Sequence, residues 1–297
     1  MRHTRLQNGL ARPALGLLLA ALAAFPAAPL QAQTPLVKNG DSIAFLGDSI
    51  TQGGWHSPVG YVRLVMSGLE CNGLHATAIP AGISGHKSND MLARLRKDVL
   101  DKNPVWMTLS CGVNDVWHGA NGVPLPQYKA NITAIIDRAQ ASGIKVMILT
   151  ATVITEQEDN PNNRTLVAYN EFLRELAKEK KCPLADLNAD MWAGLKAAPG
   201  QKNVFTGDGV HMNAHGNCLM AAGVLRAFGL SEEQIGKARE AWAVIPNAVS
   251  LNGQKGITLR QYEQLRVTAR QRETTVEEMA NAAFSSAVSN LLANPPR

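Results

Sequence analysis

Apolar residues along the chain follow two rhythms. Short, nearly unbroken apolar runs occur at residues 42–46 (SIAFL), 74–79, 105–111 (VWMTLSC), 144–150 (IKVMILT) and 183–187. Longer stretches between them repeat apolar side chains every three or four positions. Residues 61–69 do so, as do 88–100 (Met91, Leu92, Leu95, Val99, Leu100), 127–141 (Ile132, Ile135, Ile136), 163–179 (Leu166, Tyr169, Phe172, Leu173, Leu176) and 213–228. The unbroken runs suit strands buried on both faces, and the wider spacing suits amphipathic helices. Strands alternating with helices predict a parallel sheet of about five strands covered on both sides, a three-layer, doubly wound α/β fold. Ligands of such folds gather beyond the carboxyl ends of the strands. The loops that matter therefore follow Leu46, Ile79, Cys111, Thr150 and Leu187.

Both ends of the chain break this rhythm. Residues 1–32 carry Arg2, Arg5 and Arg12, no acidic residue, an apolar run (ALGLLLAALAA) and a small-residue end at Ala32. A basic start, an apolar centre and a small-residue end describe a secretory signal peptide. The run is interrupted by Pro26 and Pro29 and is too short for a membrane helix of about 20 apolar residues. After residue 230 the pattern turns helical: Ser231 caps a helix reaching about residue 244, a Pro/Asn/Gly-rich stretch follows, and residues 258–272 and 275–292 read as two more helices. The last carries Val276, Met279, Ala282, Ala283, Ala287, Val288, Leu291 and Leu292 as an apolar stripe. The domain plan is thus a signal peptide at 1–32, an α/β domain at 33–230 and a helical extension at 231–297.

Composition changes this picture little. The chain has 29 Lys+Arg and 24 Asp+Glu. Removing the leader takes away three basic residues and brings the balance to 26 against 24. No clustered basic face remains to mark a nucleic-acid partner. No further segment of the mature chain reads as a membrane span. Cys71, Cys111, Cys182 and Cys218 fit no zinc-type spacing, and the sequence leaves open whether they pair.

The chemistry sits on the expected loops. Ser49 lies just past the first strand, in Gly47-Asp48-Ser49-Ile50-Thr51. Taken alone it reads equally as a helix cap. Asp208 and His211 lie together in Asp208-Gly209-Val210-His211, immediately before a helix. A serine hydroxyl needs a base to take its proton, and an imidazole serves when a carboxylate fixes its tautomer. Donors for a developing oxyanion are offered by Ala81-Gly82-Ile83-Ser84-Gly85 and by Gly112-Val113-Asn114-Asp115.

These four segments, in this order over roughly residues 41–230, resemble the motifs of the GDSL or SGNH serine hydrolases. The resemblance implies a flavodoxin-like sheet, Ser49 as nucleophile, His211 as base and Asp208 as its partner. It also implies an oxyanion hole formed by the Ser49 and Gly85 N–H groups and the Asn114 side chain, with no metal or other cofactor. Pro80 departs from the family pattern, in which an asparagine is common at that position. The chain also lacks a mid-chain Gly-x-Ser-x-Gly elbow, which separates it from ordinary lipases.

The segments expected around Ser49 are polar: TEQEDNPNN at 155–163, QGGWHS at 52–57, and a loop holding Trp117, His118 and Asn121. Trp55 and Trp117 offer faces on which sugar rings stack. His56 and His86 lie on the same loops as hydrogen-bonding residues, and His75 falls at the far end of the second strand. The expected substrate is a small-molecule or glycan ester, foremost a short acyl group, such as acetyl, on a carbohydrate. The alternatives are a lysophospholipase, an arylesterase or an acyltransferase with the same triad, or a non-catalytic carbohydrate-binding protein. The sequence leaves the oligomeric state open.

Overall fold

The structure is a computed structural model that describes residues 34–246 and 259–294. The expected signal peptide and most of the Pro/Asn/Gly-rich stretch lie outside the described residues. Five strands, β1 (Ser42–Gly47), β2 (Thr77–Gly82), β3 (Trp106–Ser110), β4 (Lys145–Leu149) and β5 (Leu184–Ala185), form one parallel sheet in the order β2-β1-β3-β4-β5. This is the doubly wound arrangement that the apolar runs predict. Ile43, Phe45, Leu46, Met107, Leu109, Met147, Ile148 and Leu149 are all buried. Each such side chain contributes on the order of 1.5–3 kcal/mol when fully buried.

Helices α1 (Ser49–His56), α2 (Tyr61–Glu70), α3 (Ser88–Asp98), α4 (Val113–Trp117), α5 (Leu125–Ala141) and α6 (Pro161–Glu179) fill the crossovers, and α7 (Leu187–Ala197) and α8 (Ala214–Ala227) follow β5. Beyond them come α9 (Glu232–Ala243), α10 (Leu259–Gln271) and α11 (Val276–Ala293). One layer is built from α2, α8 and α9, and the other from α3, α5 and α6. No described helix is long and apolar enough to cross a membrane. All four cysteines are free thiols.

Two elements depart from the sequence reading. The second strand runs through Pro80 to Gly82, three residues beyond where the apolar run stops. Pro80 is tolerated because β2 is an edge strand, paired only with β1, where a missing N–H breaks no second ladder. The helix α7 was not expected. It starts where Asp186, held by Arg174 at 2.7 and 2.9 Å, accepts the Ala189 N–H.

The boundary expected at residue 230 does not separate α9 from the body. Ser231 and Gln234 form a capping box as the sequence predicts. The helix then buries Ile235, Ala238 and Trp242, and the Trp242 indole donates to the Leu64 carbonyl of α2 at 3.0 Å. Beyond residue 258, α10 and α11 pack on one another.

Strand order reverses at β1: the chain steps to β2 on one side and to β3 on the other. The carboxyl end of β1 is therefore flanked by the loops that leave β2 and β3. The motif segments at 47–51, 81–85 and 112–115 meet at this point.

Candidate active site

Ser49 is the first residue of α1. Asp48 caps that helix, its carboxylate accepting the Ile50 N–H at 2.9 Å. The strand-to-helix turn thus leaves the half-buried Ser49 at the rim of the sheet. Its hydroxyl lies 2.9 Å from His211 Nε2. His211 Nδ1 lies 2.7 Å from Asp208 Oδ2, while Asp208 Oδ1 accepts the backbone N–H groups of Val210 (2.9 Å) and His211 (2.7 Å). Partial burial opposes ionisation of Asp208. The His211 ring and these two N–H groups outweigh it and bring the carboxyl down to about 2. An ionised carboxylate only accepts, so Nδ1 carries the imidazole proton and Nε2 is left to accept from the serine.

The structure also brings the implied oxyanion donors to this place. Ile83 donates to the Gly47 carbonyl (3.1 Å), and His86 donates to Ile83 (3.3 Å) across a tight turn. Gly85 occupies its third position at φ +77°, where a side chain would be strained. A Cβ on Gly82 would stand 2.3 Å from the Gln52 backbone nitrogen, so glycine there lets β2 approach α1. The N–H groups of Ser49 and Gly85 donate to no protein group among the described residues. Asn114, on α4 and buried, donates one Nδ2 hydrogen to the His86 carbonyl at 3.1 Å and keeps the second.

Buried charge underlies this side of the site. The Arg94 side chain reaches from α3 to the Gly47 carbonyl (2.8 Å), the Ala81 carbonyl (2.8 Å), the His86 ring (3.1 Å) and Asp98 (2.9 Å). Asp115 accepts the Ser88 N–H at 3.0 Å, and Cys111 donates to it at 3.4 Å. Asp48 and Asp115 are both almost fully buried. Burial raises both carboxyls, Asp48 to about 6, against the pull of the Ile50 N–H.

The substrate-side expectations divide. Trp117 is 43% exposed beside His118, their rings 6.1 Å apart, two and three residues beyond Asp115. Trp55 sits in the last turn of α1, where the Arg63 guanidinium lies 4.5 Å from its ring centre and the rest packs against the core. The structure does not leave the Trp55 ring open as it does that of Trp117. His56 bonds back to the Gln52 carbonyl at 2.9 Å.

Residues 45–219 match the GDSL-like lipase/acylhydrolase family. The chain belongs to that family. Its members' chemistry makes it a carboxylic ester hydrolase. Among relatives, the acetylxylan esterase of Geobacillus stearothermophilus is 26% identical over 212 residues, covering 65% of this chain and 96% of that protein. Esterase TesA of Pseudomonas aeruginosa is 26% identical over 171 residues, covering 57% and 79%. The crystal structure of the acetyl xylan esterase AlAXEase superimposes with a TM-score of 0.60 at 35% identity, covering 63% of this chain and 98% of that one.

Sequence reasoning missed two residues that this GDSL-type site uses structurally, Arg94 and Glu156. Neither lies in a motif. Arg94 reads as one charge on a helix face, and Glu156 as one of several acids in a polar loop. Glu156 finds its partners 48 to 50 positions away, and Arg94 bonds its near neighbours His86 and Asp98 as well as Gly47, 47 positions away, so no local pattern ties either residue to the site.

Proposed function

We propose that this chain is an exported serine esterase that removes acetyl groups from a carbohydrate through an acyl-enzyme on Ser49. The observation that carries the reading is the continuous path Ser49 Oγ–His211–Asp208, at 2.9 and 2.7 Å, beside unpaired N–H donors. His211 takes the Ser49 proton as the hydroxyl oxygen attacks the ester carbonyl. Asp208, ionised at any working pH, stabilises the imidazolium. The Ser49 and Gly85 N–H groups and Asn114 Nδ2 hold the oxyanion. His211 then protonates the departing sugar alkoxide. Water, activated by the same imidazole, attacks the acyl-enzyme and releases acetate and free Ser49.

Two observations support a short acyl group on a polar alcohol. The acetylxylan esterases are among the chain's relatives. The segment 155–163 (TEQEDNPNN), whose Thr155 N–H bonds the Gly209 carbonyl between Asp208 and His211, is polar and offers no apolar acyl channel. The exposed Trp117 and His118 form the rim against which a sugar ring packs. Residues 1–32 direct export and are then removed.

The test is a panel of acetylated xylan and p-nitrophenyl esters of graded chain length, with fluorophosphonate labelling. The expected result is acetate release from the glycan, little turnover of long-chain esters, and labelling of Ser49 that disappears in His211→Ala. Rapid long-chain hydrolysis without acetate release overturns the substrate. Labelling elsewhere overturns the nucleophile.

A further inference from the structure

The segment that carries Asp208 and His211 has almost no regular structure to hold it. Between α7 and α8 the described backbone forms a single isolated bridge, Thr206 to Met212. The backbone N–H groups of Val204, Phe205 and Thr206 therefore have no ladder to pair with. All three converge on one side chain. Glu156 Oε2 accepts the Val204 N–H at 2.8 Å; Oε1 accepts those of Phe205 and Thr206 at 2.7 Å each and the Thr206 hydroxyl at 2.9 Å. Hydrogen bonds to an ionised acceptor are roughly twice as strong as neutral ones.

Glu156 is itself fixed from behind. Asn163, buried on α6, accepts the Ile154 N–H (2.8 Å) and donates to the carbonyls of Thr155 (3.2 Å) and Gln157 (2.7 Å). Thr155, at φ +66°, donates its N–H to the Gly209 carbonyl between Asp208 and His211, at 2.7 Å. The hydrogen bonds thus run without a gap from α6, through the loop after β4, to the residues facing Ser49.

We propose that Glu156 is a positioning residue for the ester hydrolysis, setting through residues 204–206 where the Asp208–His211 pair stands against Ser49. This inference rests on the reading of Ser49 and His211 given above. Glu156 touches no reacting atom, so its removal acts on geometry. A displacement of about 1 Å at reacting groups costs up to about 10²-fold in rate.

The experiment compares wild type with Glu156→Ala and Glu156→Gln on p-nitrophenyl acetate, with fluorophosphonate labelling of Ser49 and melting temperature followed alongside. Glu156→Ala is expected to lower kcat about 10²-fold with KM nearly unchanged, and to slow labelling in parallel. Glutamine keeps an oxygen for Phe205 and Thr206 but turns an NH₂ group toward the Val204 N–H. It is expected to rescue part of kcat. If Glu156→Ala fails to fold, Glu156→Gln and Thr206→Val, which removes only the hydroxyl bond, carry the test in the same direction. A lowered melting temperature with kcat and labelling rate intact in the folded variants overturns the positioning role. Absence of Ser49 labelling in wild type overturns the underlying reading instead, so the two failures are distinguishable.

Discussion

Ser49 stands between two unlike neighbourhoods. On one side, Asp208 and His211 sit on an irregular segment, with side chains 56% and 43% exposed, held by backbone N–H groups gathered on a carboxylate. On the other, Gly85 and Asn114 leave the ends of strands, above the nearly buried Arg94, Asp48 and Asp115. The difference follows from what each side does. The acid–base side moves a proton, so its imidazole stays beside solvent. The oxyanion side presents fixed donors to a charge that comes and goes, so it is built on the sheet, where strands limit movement. Opposite charges brace the two: a carboxylate collects N–H groups on the first, and a guanidinium collects carbonyls on the second.

Breaking the exposed side should have the largest effect. His211→Ala is expected to lower kcat for p-nitrophenyl acetate by about 10⁵–10⁶, as loss of a triad member does elsewhere. A drop below about 10³ would mean that another group serves as base. Next comes the buried side. Asn114→Ala should lower kcat by about 10²–10³ with KM little changed. A loss confined to KM would remove Asn114 from the oxyanion hole.

A smaller effect sharpens the energetic contrast. Asp48 titrates near 6 when folded because burial opposes its charge, against an ordinary value of 3.8. The folded chain therefore holds a proton that the unfolded chain releases, and stability falls as pH rises from about 4 to 6. Above that window the cost is on the order of 2–3 kcal/mol. Asn at position 48 keeps an oxygen for the Ile50 N–H and has no charge to bury. Denaturant unfolding should show Asp48→Asn gaining on wild type between pH 4 and 7. A pH-independent difference would contradict the assignment. Smallest is the rim: Trp117→Ala should raise KM for acetylated xylo-oligomers about 2- to 10-fold, the scale of one aromatic contact, and leave p-nitrophenyl acetate kinetics unchanged.

The buried side was the more legible in sequence. Continuous apolar runs mark β1, β3 and β4, and short Gly- and Asn-containing motifs follow β1, β2 and β3 directly. Legibility failed where a local signal meant something else in context. Pro80 reads as the end of a strand, yet β2 continues through it at the sheet edge. Trp55 reads as a sugar platform, yet Arg63 from α2 stacks on it. The exposed side shows Asp208 and His211 as a short motif, but what holds them does not appear locally. Glu156 lies some 50 positions away from Thr206, and only the folded loop after β4 brings them together.

The docking of α9 has a mechanical consequence. Trp242 is pinned to α2, and α2 follows α1 and its Ser49 in the chain. A load drawn on the C-terminal end of α9 meets this packing first. Ile235, Ala238 and Trp242 must pull free before that load separates α9 from α2 and α8.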